Sequence, residues 1–228
     1  MTNLRDIDDL SGFLAAWYAV DDLAISEKDI PSHAMVPKAL RQAWLKLGRL
    51  SVGYENWVRT GAPSPLACQD GLAPPGKLLV ADGIALVVTE NQGNWAIGYE
   101  AGTDLPDPPV FSNFLEQEGT AQGFIPVGCT LSNLIITTAL TETIMFSVTD
   151  SLGATPKAEQ QKRAASCDHL IWTGHYYNAM GLGPDLEKPS HQIKINPAGD
   201  LLCLFFDDRF SGFLANRTES RKLIRQFL

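Results

Sequence analysis

Two apolar, β-rich runs, 84–89 and 95–99, flank the polar segment 90–94, and no other stretch limits the fold as tightly. Val, Ile, Leu, Trp and Tyr interrupted by Glu90-Asn-Gln-Gly-Asn94 signal a hairpin. Gly93 can take the positive φ that such turns need, and Asn91 or Asn94 tolerates it. The spacing therefore predicts two paired strands in the core with a polar tip in solvent. Pro108 and Pro109 cannot donate ladder hydrogen bonds, so they are expected to end whatever follows the second strand.

A chain of 228 residues can bury one substantial core, and its 45% hydrophobic and 19% charged content is that of a folded protein. One domain over 1–228 is expected, with a helical segment at 1–35 and a strand-rich part at 166–228. No apolar run reaches the roughly 18 residues of a membrane span; the stretch 78–88 is broken by Asp82 and Gly83. The first residues are acidic and lack the basic-then-apolar pattern of a signal peptide, so a cytoplasmic location is expected. Cys68, Cys129, Cys167 and Cys203 lie far apart, without Cys-x-x-Cys spacing, and read as reduced, mostly buried thiols. A net charge of −8 argues against a nucleic acid or an anionic membrane as partner, because phosphate demands a basic face. Such acidity serves solubility or attracts a basic protein; composition does not choose between these.

Leu4, Ile7, Leu10, Leu14, Trp17 and Tyr18 recur at helical spacing, with Asp6, Asp8 and Asp9 where a helix N-terminus favours anions. Ser11-Gly12 is a place where this helix could split in two. A connector over 21–32 leads to the clearest helix, with Pro37 at its start, Val36, Leu40, Trp44 and Leu47 on one face and Gly48 past its end. Trp44 on that stripe reads as core. Four prolines within 61–75 predict irregular surface chain, and 111–122 a short helix. The stretch 130–146 is ambiguous: its threonines and β-branched residues favour a strand, while Leu131, Leu134, Ile135, Thr138 and Met145 keep helical spacing. A loop with a helical turn or two near 159–163 follows. Then come strands at 170–177, 191–195, 201–206 and 210–215, spaced as an antiparallel meander, and a closing helix from Thr218. Ser-Gly-Phe-Leu-Ala occurs twice, at 11–15 and 211–215, but in different contexts, so it is not a duplication.

Glu90-Asn91-Gln92 after an apolar strand, an aromatic strand with Trp95 and Gly98, and Asp107-Pro108-Pro109-Val110 together resemble the SUKH superfamily. That superfamily includes bacterial immunity proteins against polymorphic toxins and relatives of fungal cell-wall-assembly regulators. The resemblance implies a helix opening at Leu131-Ser132-Asn133-Leu134-Ile135, which resolves the ambiguity of 130–146. With it the element order reads as α+β: a single twisted, mainly antiparallel sheet with helices packed around it. The resemblance also implies a non-enzymatic protein that neutralises a cognate toxin by direct binding, the toxin being basic and, in one form, a nuclease. Its expected contact residues are Asp82, Glu90, Asn91, Gln92, Asp104 and Asp107 around the hairpin. A regulatory scaffold of the same superfamily is the second expectation.

Catalytic arrangements each meet a simpler reading. The chain has no Gly-x-Ser-x-Gly elbow, no phosphate-binding glycine loop and no His-Glu-x-x-His, and Gly181-x-Gly183 runs into Pro184. His175 beside two tyrosines fits a half-buried strand histidine as well as a proton carrier. In Cys167-Asp168-His169 the middle residue alternates to the other face of a strand, and no basic setting activates the thiol. Asp207-Asp208 offers two carboxylates, fewer than a hard cation needs, and reads as a turn. Glu90 reads as a hydrogen-bonding group at the hairpin mouth, and Trp95 as core. No cofactor or metal is expected; a small hydrolase or small-molecule binder using His175 and Asp207 stands as the alternative.

Overall fold

The computed structural model describes residues 3–31, 36–51, 65–67, 69–113, 123–145, 157–175, 191–206, 208–217 and 224. Among these, helices α1 (Ile7–Tyr18), α2 (Lys38–Leu47), α3 (Leu131–Met145) and α4 (Lys157–Ala164) accompany ten strands. The α+β class and the antiparallel pairing are as expected, but the strands divide into two sheets where one was expected. The first contains β1 (Asp70–Leu72), β2 (Leu79–Ala81), β3 (Ile84–Glu90), β4 (Ala96–Glu100), β5 (Pro109–Ser112) and β6 (Ile125–Thr130). Its order is β1-β3-β4-β5-β6, with β2 also paired to β3. The second is the expected meander, β7 (His169–Gly174), β8 (His191–Ile195), β9 (Leu201–Phe206) and β10 (Arg209–Asn216), in the order β10-β9-β8-β7.

The division follows from α3. Leu131, Leu134, Ile135, Ile136, Ala139, Leu140 and Ile144 are buried, and so are Thr137, Thr138, Thr141, Glu142 and Thr143, so the helix is enclosed on all sides. It touches both sheets as well as α1 and α2. A helix apolar all round belongs between layers, which is why its sequence shows no polar stripe. Two of its threonines find side-chain partners there: Trp172 Nε1 donates to Thr137 Oγ1 at 2.9 Å, and the Tyr18 hydroxyl donates to Thr143 Oγ1 at 3.1 Å, while the Thr138 and Thr141 hydroxyls are buried without one among the described residues. One apolar cluster draws on α1, α2, α3 and both sheets.

The central hairpin is present as expected. β3 and β4 pair from Ile84↔Glu100 to Thr89↔Ala96, with one extra residue on β3 between Leu86 and Val88. Gly98 faces Leu86 in this ladder; a Cβ there would stand 2.1 Å from the Ala85 carbonyl oxygen, so no larger residue fits. Trp95 and Trp44 are both core, 2% and 1% exposed, and Trp44 Nε1 donates to the Ala73 carbonyl at 2.8 Å.

Several local expectations are corrected. α1 runs through Ser11-Gly12 unbroken, since Leu10, Phe13 and Leu14 around the pair are fully buried. Its N-cap is Asp6, which accepts from the Asp9 amide at 2.9 Å. Pro109 opens β5 instead of stopping the chain, because a strand's first residue can lack a donor. The stretch 61–75 is not simply surface chain: Leu66 is buried in a 3₁₀ turn and β1 pairs antiparallel with β3. Phe111 and Ser112 belong to β5, while the short helix expected from there onward falls at 114–122, outside the described residues. The closing helix also lies there, apart from Ile224, which is helical and buried.

Candidate functional site

The structure distributes the six sequence-derived contact residues over two ends of the first sheet. Asn91 and Gln92 are exposed at the β3–β4 tip, beside Glu90. Asp82 is exposed at the opposite end of β3, where it forms the β2–β3 turn with Gly83 (φ 49° and 79°), the Asp-Gly pairing that two-residue hairpins favour. Asp104 and Asp107 lie in the segment after β4, at this same end, since the Ala101 amide donates to the Gly83 carbonyl at 2.8 Å. β3 spans seven residues, about 20 Å at the usual rise, so the six do not make one patch.

Two of the six are committed internally. Glu90 is 5% exposed. Its Oε2 accepts from the Gln92 amide at 2.9 Å and the Asn94 amide at 3.2 Å, and its Oε1 accepts from Gln69 Nε2 at 2.8 Å. Gln69 in turn accepts from Asn91 Nδ2 at 3.1 Å, and its amide donates to Glu142 Oε2 at 3.3 Å. Asp107 is half-buried and holds the start of α3.

Gln69, Asp70 and Glu142 complete a buried polar cluster that the sequence reading missed. Burial, together with the charge of Glu90, pushes the Asp70 carboxyl up to about 7. Burial and then Asp70 push Glu142 well above the carboxylate range, so Glu142 keeps its proton and hydrogen-bonds Asp70. The signal for it was Glu142 itself, the lone charged residue in the α3 sequence. The cluster ties the hairpin tip to the central helix; among the described residues no group of three or more metal-ligating side chains could hold an ion.

The end carrying Asp82 and Asp104 brings exposed carboxylates together with exposed apolar side chains. On the helical side four of the described carboxylates are paired, Asp9 with Arg5 at 2.8 Å, Asp8 with Lys46 at 2.9 Å, Glu27 with Arg41 and Asp22 with Arg49 at 3.6 Å, while Asp21 and Asp29 are exposed there without an ion pair among the described residues. Among the described residues Asp82, Glu100 and Asp104 are exposed and make no ion pair. The exposed large apolar side chains among the described residues are at this end too: Leu79 at 67%, Val80 at 61% and Leu105 at 49%. Lys38 adds one positive charge nearby, since the amide of its neighbour Ala39 donates to the Pro106 carbonyl. A cavity of about 330 Å³ opens beside Leu79, lined also by Leu66, Leu72, Leu86, Lys77 and Thr89.

The residues weighed for catalysis are not assembled. His175 is half-buried, its pKa lowered by burial, and its amide donates to Asn133 Oδ1 at 3.3 Å. Asp207 lies outside the described residues. The Cys167 thiol is pushed far above its usual range by the neighbouring Cys203 and by burial, the reverse of an activated nucleophile. His169 lies 3.4 Å from Asp168, which is exposed. No family model, curated protein or solved structure matches this chain.

Proposed function

We propose that this chain is a non-enzymatic binding protein that holds a basic protein partner at the Asp82/Asp104 end of the first sheet. The observation that carries this reading is the coincidence, at one end, of exposed Leu79, Val80 and Leu105 with unpaired Asp82, Glu100 and Asp104. Exposed apolar anchors beside exposed carboxylates that make no ion pair are what a basic protein surface recognises: the charges steer the encounter and the apolar side chains slow dissociation. The hairpin tip plays a lesser part here, because Glu90 is spent on its scaffold.

The motifs that resemble the SUKH superfamily support a cognate polymorphic toxin as the partner and neutralisation by occlusion as the role. Neutralisation then takes place in the cytoplasm of the protected cell. The test is to search the neighbourhood of the protein's own gene for a toxin-like reading frame and to co-express that frame with the protein in bacteria. Growth rescue by the wild type, lost on Leu79→Lys or on joint D82N/E100Q/D104N neutralisation, supports the reading. Absence of rescue by the well-expressed wild type contradicts it. Rescue unaffected by either variant moves the contact face elsewhere.

A further inference from the structure

Cys167 and Cys203 are 36 residues apart in sequence, yet their sulfur atoms stand 3.1 Å apart. Both are buried, at 4% and 0% exposure. They sit in a small apolar cluster of their own, with Ala164, Leu201, Phe205 and Leu214, on the face of the second sheet that α4 covers. α4 itself is weakly held: of its eight residues only Ala164 is buried. Cys167 closes its C-terminal end, donating its amide to the Ala164 carbonyl at 2.9 Å, while its thiol points at the Leu201 carbonyl at 3.5 Å. The sulfur atoms stand only about 1 Å farther apart than in a disulfide bond.

We propose that Cys167 and Cys203 are a modification site: an intramolecular disulfide that clamps α4 to β9 when the protein meets an oxidant of the low-molecular-weight disulfide class. The exchange balances. One protein thiolate attacks the oxidant's disulfide and releases one small thiol; the second protein thiolate then displaces the other small thiol. The protein pair loses two electrons and two protons, and the oxidant's sulfur–sulfur bond is reduced to two thiols. Closed, the site protects itself, because the Cys167 proton is held by burial and by Cys203. Reaction therefore proceeds through local opening of α4, which its single buried contact makes the inexpensive motion. Cys129 is an internal control: its thiol is half-buried, pushed up to about 12 by burial and by Asp107, and has no sulfur neighbour among the described residues.

The experiment incubates the full chain with oxidised glutathione across a series of sub-denaturing urea concentrations, so that opening does not limit the result. Free thiols are then alkylated under denaturing conditions and the protein is digested with trypsin. The expected product is a single cross-link joining peptides 164–194 and 195–209, absent from C167S and from C203S. With it comes a rise in Tm over the reduced protein and slower amide exchange in α4. Full alkylation of both cysteines at every urea concentration overturns the proposal, as does a link to Cys68 or Cys129. A cross-link that leaves Tm and α4 exchange unchanged overturns the clamp.

Discussion

Asp107 and Ser132, 25 residues apart, meet at the N-terminus of the central helix: Asp107 Oδ1 accepts the Ser132 amide at 2.8 Å and Oδ2 accepts its hydroxyl at 2.6 Å. The next residue, Pro108, accepts the Leu131 amide at 2.9 Å. The first turn of α3 is thus capped by a segment from another part of the chain, and a negative charge sits where the helix dipole favours it. This gives a physical reason for Asp107-Pro108-Pro109-Val110 and Leu131-Ser132 to occur together. One supplies the acceptors and the other the donors.

Asp107→Ala is expected to lower stability by about 1–2 kcal/mol, the usual worth of a cap, with a smaller loss for Ser132→Ala. Urea denaturation checks this as a fall in midpoint at constant slope. Because Asp107 acts inside the fold, the loss should be the same with and without a partner present.

Glu90→Ala is expected to cost about 2–3 kcal/mol, because it strands the half-buried Gln69 side-chain amide and frees the backbone of the tip. Hydrogen exchange is the informative measurement: the Gln92 and Asn94 amides should lose protection while β8 and β9 keep theirs. Uniform loss across both sheets would mean that Glu90 supports the whole core and not the tip.

Stability should also carry a pH signature from Asp70 and Glu142. Their carboxyls titrate higher in the folded chain than in the unfolded one, so between the two values the folded state binds more protons and stability falls as pH rises. For Asp70 the window runs from its ordinary 3.8 up to about 7, a ceiling of about 4 kcal/mol. His191 acts with the opposite sign: burial lowers it to about 3, so its contribution is lost as pH falls below 6.5. The clean readout is therefore the difference between Glu142→Gln and wild type. The variant should gain on the wild type as pH rises above the ordinary carboxylate range, where the wild type alone loses the stability tied to the Glu142 proton. A difference that stays flat with pH would remove the shared proton from the account.

The legible parts of this fold were those where pattern and packing coincide. The hairpin could be read because alternation, a glycine at the turn and aromatic residues all point to the same two strands. The strands at 191–195 and 201–206 were legible for the same reason, and their limits match β8 and β9. α3 was not legible from its own residues, because burial on every side erases the polar stripe that marks a helix. The second sheet was hidden for a related reason: strand runs show that strands exist, but not that a buried helix separates them. β1 and β2, at three residues each, are below the length at which alternation can be recognised, and β5 and β6 each carry a proline.

The site was legible only in part. Asp82 and Asp104 could be picked as exposed turn acids, but Leu79 and Val80 could not be told from core, since an edge strand reads like a buried one until its neighbours are known. Gln69 and Asp70 lie among prolines in a stretch without periodicity, so nothing local announced that they meet Glu142.

The contact face itself is open to direct measurement by amide exchange on the chain alone and with the basic protein partner proposed for it. The account predicts new protection at 79–83 and 100–105, with the 91–94 tip and α1 unchanged. Protection confined to the tip, or to the ion-paired face of α1 and α2, would contradict it.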